Sequence, residues 1–147
     1  MRIILILLIL SQCSIKNELS EWETIFNGKN LDGWTVKIKG YPSGENFGNT
    51  FKVVDEAIQV SYENYDNFDF KFGHIYYTEK KYKNYHLKLE YKFFGSQAIG
   101  GEGWATKNSG IMFHSQHPET MLIDQSFPVS LEAQFLGGLG DGKRPTG

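Results

Sequence analysis

The chain has 147 residues and a mass of 16.8 kDa, room for one domain. Its 15 Lys and Arg against 17 Asp and Glu leave a formal charge of −2, which excludes a nucleic-acid partner held by a broadly basic surface. A content of 40% hydrophobic and 22% charged residues excludes a disordered chain, and the single Cys excludes an internal disulfide. The 3 Trp, 8 Tyr and 11 Phe, set among 16 Gly, favour short strands and turns over helices.

Met1 and Arg2 lead into an unbroken apolar run from Ile3 to Leu10, closed by Ser11, Gln12 and Cys13. One positive charge, a short apolar stretch and a polar break form the layout of a secretory signal. The run is too short to span a bilayer, which takes about 20 apolar residues. Cys13 resembles the lipobox cysteine of bacterial lipoproteins; Leu10 and Ser11 fit that pattern, while Gln12 stands where a small residue is usual. The resemblance implies lipidation of Cys13 and an exported, periplasmic or outer-membrane-anchored protein that meets the membrane only through its lipid. The expected division is a signal over 1–13, a tether over 14–21 and one domain over 22–147.

Along that domain, Asn27-Gly28 and Asp32-Gly33 are turn signals, because Asn, Asp and Gly tolerate positive φ. Tyr41 to Thr50 reads as a loop. Phe51 to Val54 and Ala57 to Ser61 flank Asp55-Glu56 and predict a hairpin. Asn64 to Gly73 reads as a long loop, and His74 to Thr78 as a short strand. Tyr85 to Phe94 is the clearest strand signal, with Leu87, Leu89, Tyr91 and Phe93 alternating with His86, Lys88, Glu90 and Lys92. A glycine-rich loop carrying Trp104 runs from Gly95 to Lys107. In the next strand Ser109, Ile111 and Phe113 alternate with Asn108, Gly110, Met112 and His114. The loop His117 to Phe127 precedes a strand over Val129 to Leu136, and Gly137 to Gly147 is loop-like. With no helix of normal length, the expected fold is all-β, a two-sheet antiparallel sandwich. Its core would take Leu87, Leu89, Tyr91, Ile111, Phe113, Leu131, Ala133 and Phe135.

Three groups of residues offer chemistry. Lys107 to His114 ends in a histidine on a polar strand face, where most histidines are plain surface residues. Glu132 and Gln134 lie on one face about 7 Å apart, close enough to touch one small ligand. Glu90 sits in a run of alternating charge, which is as readily explained by solvent exposure.

Phe26-Asn27-Gly28-Lys29-Asn30-Leu31-Asp32-Gly33-Trp34, the strand Tyr85 to Tyr91, Asn108-Ser109-Gly110-Ile111 and Glu132-Ala133-Gln134 follow one another in the order of a known family. Taken together they resemble the 3-keto-disaccharide hydrolase domain family, from about Trp22 to the end of the chain. The resemblance implies a concanavalin A-like jelly roll, and further strands beyond Gly147, so the jelly roll is expected to be C-terminally incomplete.

It also implies an oligosaccharide or glycoside substrate oxidised at carbon 3, cleaved by removing the C2 proton and expelling the C1 substituent. That route needs a base, a stabiliser for the enolate oxygen and an acid for the leaving group. On this reading Glu132 or Glu90 is the base, and His114 acts as acid or base. Asn108, Gln134 and Lys107 hydrogen-bond hydroxyls or the ketone, and Trp104 offers a ring for a sugar to stack on. A divalent cation is a further means of polarising the ketone, although the sequence has no close metal-ligand spacing. The rival reading is a lectin-like module that binds carbohydrate without cleaving it. An orthodox glucanase would carry a tight set of acids on one strand, and none is present.

Overall fold

The computed structural model describes residues 22–140 and 142. Cys13, the expected signal over 1–13 and the tether over 14–21 lie outside the described residues, as do 143–147.

The described chain is all-β. Six strands pair antiparallel into three two-stranded ribbons, and three single 3₁₀ turns of three residues are the only helical elements among the described residues. Ribbon one joins β1 (Trp34–Ile38) to β4 (Gly73–Tyr77), ribbon two joins β2 (Phe51–Val54) to β3 (Ala57–Val60), and ribbon three joins β5 (Asn108–Phe113) to β6 (Leu131–Leu136). This antiparallel build is consistent with a β-sandwich. The β2–β3 hairpin turns through Asp55 and Glu56, both in the left-handed region at φ 49° and 59°. Two such residues give the primed turn whose twist matches paired strands. The Asn27-Gly28 signal is also a turn, in which Asn27 Oδ1 accepts from the backbone N–H of Lys29 and Asn30 at 2.8 and 3.0 Å.

The core lies between ribbons one and two, where Val36, Ile38 and Phe51 are buried under Leu31, Tyr41, Phe47, Ile58 and Ile75. It therefore sits away from the place the alternation of later residues suggested. Leu87, Leu89, Tyr91, Leu131 and Ala133 are exposed, and Ile111, Phe113 and Phe135 are half-buried. Tyr85 to Phe94 has no ladder partner among the described residues. Alternation specifies which side chains share a face but not which strand lies alongside, and without a neighbour the apolar face stays open. The shared face itself is as expected, since the Tyr91 ring stacks on Phe135 with centroids 4.2 Å apart.

Lys37 is the least expected member of the interior, at 1% exposure. Its ammonium has three N–H groups and donates to three carbonyls: Ile38 and Tyr41 at 3.0 Å, and Ile123 at 3.2 Å. Burial lowers its pKa, an effect partly offset by Asp124. The Ile123 carbonyl also accepts from the Gly40 N–H at 2.7 Å. His74 Nε2 donates to the Ser126 carbonyl at 2.9 Å, and Tyr76 Oη donates to Met121 Sδ at 3.0 Å. The long connection between β5 and β6 is thus fastened to ribbon one, which fixes where β6 begins.

Lys37→Met keeps the length of the side chain but removes all three donors and leaves buried carbonyls short of a partner. A loss of about 1–3 kcal/mol is expected, read from denaturant midpoints; an unchanged midpoint would contradict the clamp.

Burial lowers the His74 pKa; the bond to Ser126 opposes this and the nearby Lys37 adds to it. In the unfolded chain the ring takes a proton near pH 6.5, so below that value the unfolded state binds more protons. Stability present above about pH 6.5 is therefore lost as pH falls. The Tm is expected to drop below that pH in the wild type. The slope should be shallower in His74→Gln, which keeps a donor for Ser126; identical slopes would contradict the assignment.

Candidate functional site

Ribbon three carries the site. Its register sets Asn108 against Leu136, Gly110 against Gln134, Met112 against Glu132, and Ile111 against Ala133. Directly paired residues share a face, so Asn108, Gly110, Met112, Glu132 and Gln134 form one row, with Ile111, Phe113, Ala133 and Phe135 behind them. Along the row Gln134 Nε2 donates to Asn108 Oδ1 at 3.3 Å, and Asn108 Nδ2 donates to the Trp104 carbonyl at 3.2 Å.

Glu132 lies diagonally across β5 at Gly110. A Cβ built on Gly110 would fall 2.3 Å from Glu132 Oε1 and 2.8 Å from its Cγ. Any side chain at 110 would occupy the place of the carboxylate. Sequence reasoning gave Gly110 no role. The available signal was a glycine inside a strand, which commonly marks the close approach of another group.

Trp104 lies in the 3₁₀ turn Gly103–Ala105 and stacks on Phe72 with centroids 5.6 Å apart, while 55% of the residue stays exposed. Phe127 completes a cluster of three rings, 4.9 Å from Phe72 and 6.4 Å from Trp104. The Trp104 ring is thereby backed by a second ring at the end of the polar row, close to Asn108.

The remaining expected residues are less tightly joined to this row. Lys107, at φ 48°, turns its Nζ to the Gly138 carbonyl at 3.3 Å. Glu90 is exposed and makes no hydrogen bond or ion pair among the described residues. His114 follows the last residue of β5 at φ 50°, in the left-handed region. That turn breaks the alternation: its ring lies 6.4 Å from Tyr85 and shares a cavity with Ile111 and Phe113, on the face away from Glu132. All seven expected residues nevertheless border one open cleft of about 2630 Å³. Among the described residues no three His, Cys, Asp or Glu side chains group so as to hold a metal ion.

A carboxylate, two amides and a backed, exposed tryptophan on an antiparallel strand face form the kind of surface with which carbohydrate-active β domains meet sugars. The family model of the 3-keto-alpha-glucoside-1,2-lyase-like domain matches residues 21–147, and the chain belongs to that family. Comparison with curated proteins and with solved structures gives no match.

Gly110→Ala is expected to destabilise the protein by about 1–3 kcal/mol, because its Cβ would meet the Ala133 carbonyl oxygen at 2.9 Å as well as the Glu132 side chain. Adding Glu132→Ala to that variant removes the obstructing carboxylate and should restore part of the loss in thermal melts. A double variant no more stable than Gly110→Ala alone would contradict the close approach.

Proposed function

We propose that the protein cleaves 3-keto-glycosides by elimination, with Glu132 as the base. The observation that carries the proposal is the Glu132 carboxylate laid over Gly110 in one row with Gln134 and Asn108, next to the turn that holds Trp104. Membership of the 3-keto-alpha-glucoside-1,2-lyase-like family supports a sugar substrate already oxidised at carbon 3.

In such a substrate the ketone acidifies the C2 proton, and the glycosidic oxygen on C1 lies β to the carbonyl. Glu132 takes the proton, the C2–H electron pair moves into the enolate, and the negative charge rests on the C3 oxygen. Re-forming the carbonyl then drives out the C1 oxygen, which leaves as an alcohol on gaining a proton. A C1–C2 double bond remains, and adding water across it completes net hydrolysis. Gln134 Nε2 and Asn108 Nδ2 are the N–H donors within the row, suited to the C3 oxygen and to ring hydroxyls. Trp104 presents an apolar ring to a sugar face. No oxocarbenium ion forms, so two carboxylates at a fixed glycosidase spacing are not required. The apolar run Ile3 to Leu10 and Cys13 support placing this activity outside the cytoplasm, on a lipid anchor.

Glu132→Gln keeps shape and hydrogen bonding but removes the base. Its melting temperature is expected to stay near that of the wild type, since exposed substitutions usually change stability by no more than about 0.5 kcal/mol. Cleavage of a 3-keto-glucoside should fall about 100- to 10,000-fold. Full activity in the variant would overturn the assignment. Sugar binding by the wild type with no cleavage of keto or unoxidised glucosides would leave a carbohydrate-binding module instead.

A further inference from the structure

Behind the polar row, on the side of ribbon three that carries Ile111, Phe113 and Ala133, lies a cavity of about 550 Å³, most of whose lining also borders the large cleft. The segment 83–87 forms one wall, and His114 with the apolar side chains Ile111 and Phe113 forms the other. Its volume falls in the range of small-molecule sites. The ionisable side chains on its walls are Lys83, His86 and His114, with the Tyr85 phenol, and no carboxylate lines it. Asn84 adds an amide.

A second observation points the same way. Lys80, Lys81, Lys83, Lys88 and Lys92 all fall within residues 80–92, where Glu90 is the only acid. Five of the chain's 15 basic residues thus fall in this short segment, in a protein whose formal charge is −2, and Lys83 is the one that lines the cavity. Of these, Lys80 is engaged by Glu23, whereas Lys83 makes no ion pair among the described residues. The left-handed turn at His114 brings its imidazole round to the basic wall, in place of the outer face that simple alternation would give it. Histidine is among the residues that tolerate this conformation best.

We infer that the cavity walled by Lys83, His86 and His114 binds the anionic group of a small acidic saccharide, a sugar carboxylate or a sugar phosphate. An ammonium and ring N–H groups supply charge-assisted hydrogen bonds to the oxyanion. The Ile111 and Phe113 floor takes the less polar face of the ring. An apolar floor suits a compact ligand better than a polyanion, which would track a continuous basic groove. The anionic part of the inference stands on the cavity alone, and the saccharide part rests on the carbohydrate reading above.

The test is calorimetric titration of the full-length protein with glucuronate, glucose 6-phosphate, glucose and heparin. Binding of glucuronate or of glucose 6-phosphate, with glucose at least tenfold weaker, is the expected result; which of the two binds identifies the source of the anion. The double variant Lys83→Met/His86→Gln, at exposed positions, should weaken that binding about tenfold or more. His114→Asn, which tolerates the same backbone turn, should weaken it as well. Glu132→Gln should bind the anion as the wild type does, so failure of the elimination reading and failure of this one are told apart. Four results would overturn the inference: no binding of either anion, equal binding of glucose, unchanged affinity in both cavity variants, or binding of heparin alone.

Discussion

Because side chains alternate along a strand, the pairing of β5 with β6 decides at once which side chains stand beside Glu132 and which lie on the other face. Met112 opposite Glu132 and Gly110 opposite Gln134 put the carboxylate, the two amides and the gap at Gly110 on one surface. A slip of one residue would turn Ala133 and Phe135 to that surface and send Glu132 to the other side. The site is therefore a consequence of register before it is a consequence of residue type.

Ribbon three does not hold its place alone. Its two strands are joined by a long connection, and the middle of that connection is tied to ribbon one through Lys37, Gly40, His74 and Tyr76. Lys37 matters most, because a buried ammonium with all three donors satisfied leaves little freedom to the carbonyls it holds. Phe127, in the same connection, packs on Phe72, and Phe72 backs Trp104. The core of ribbons one and two thus positions both ends of the polar row through one loop.

Much of this was legible in the sequence. The β2–β3 hairpin, the strand at His74 and both strands of ribbon three follow from alternation and turn residues, because those signals are local. Asn108, Glu132 and Gln134 could be assigned to strand faces for the same reason. Lys37 was not legible as a buried residue, since a lysine between Val36 and Ile38 reads as a solvent-facing position and the carbonyl of Ile123 that completes its partners comes from a distant loop. Alternation puts His114 on the polar face, whereas its left-handed backbone at the end of β5 carries the ring toward Tyr85, a turn with no trace in the pattern. Tyr85 to Phe94 shows the reverse case, a strong local signal whose partner strand the pattern cannot name.

In the proposed elimination, cleavage begins with loss of the C2 proton. Its most direct measurement is to run the reaction in D2O on a 3-keto-glucoside and follow C2 in the earliest product by NMR. Elimination predicts that the original C2 hydrogen is gone, either absent from the unsaturated product or replaced by deuterium after water adds, and that Glu132→Gln suppresses the loss. A cleaved product that still carries its original C2 hydrogen would contradict elimination and indicate direct displacement at C1.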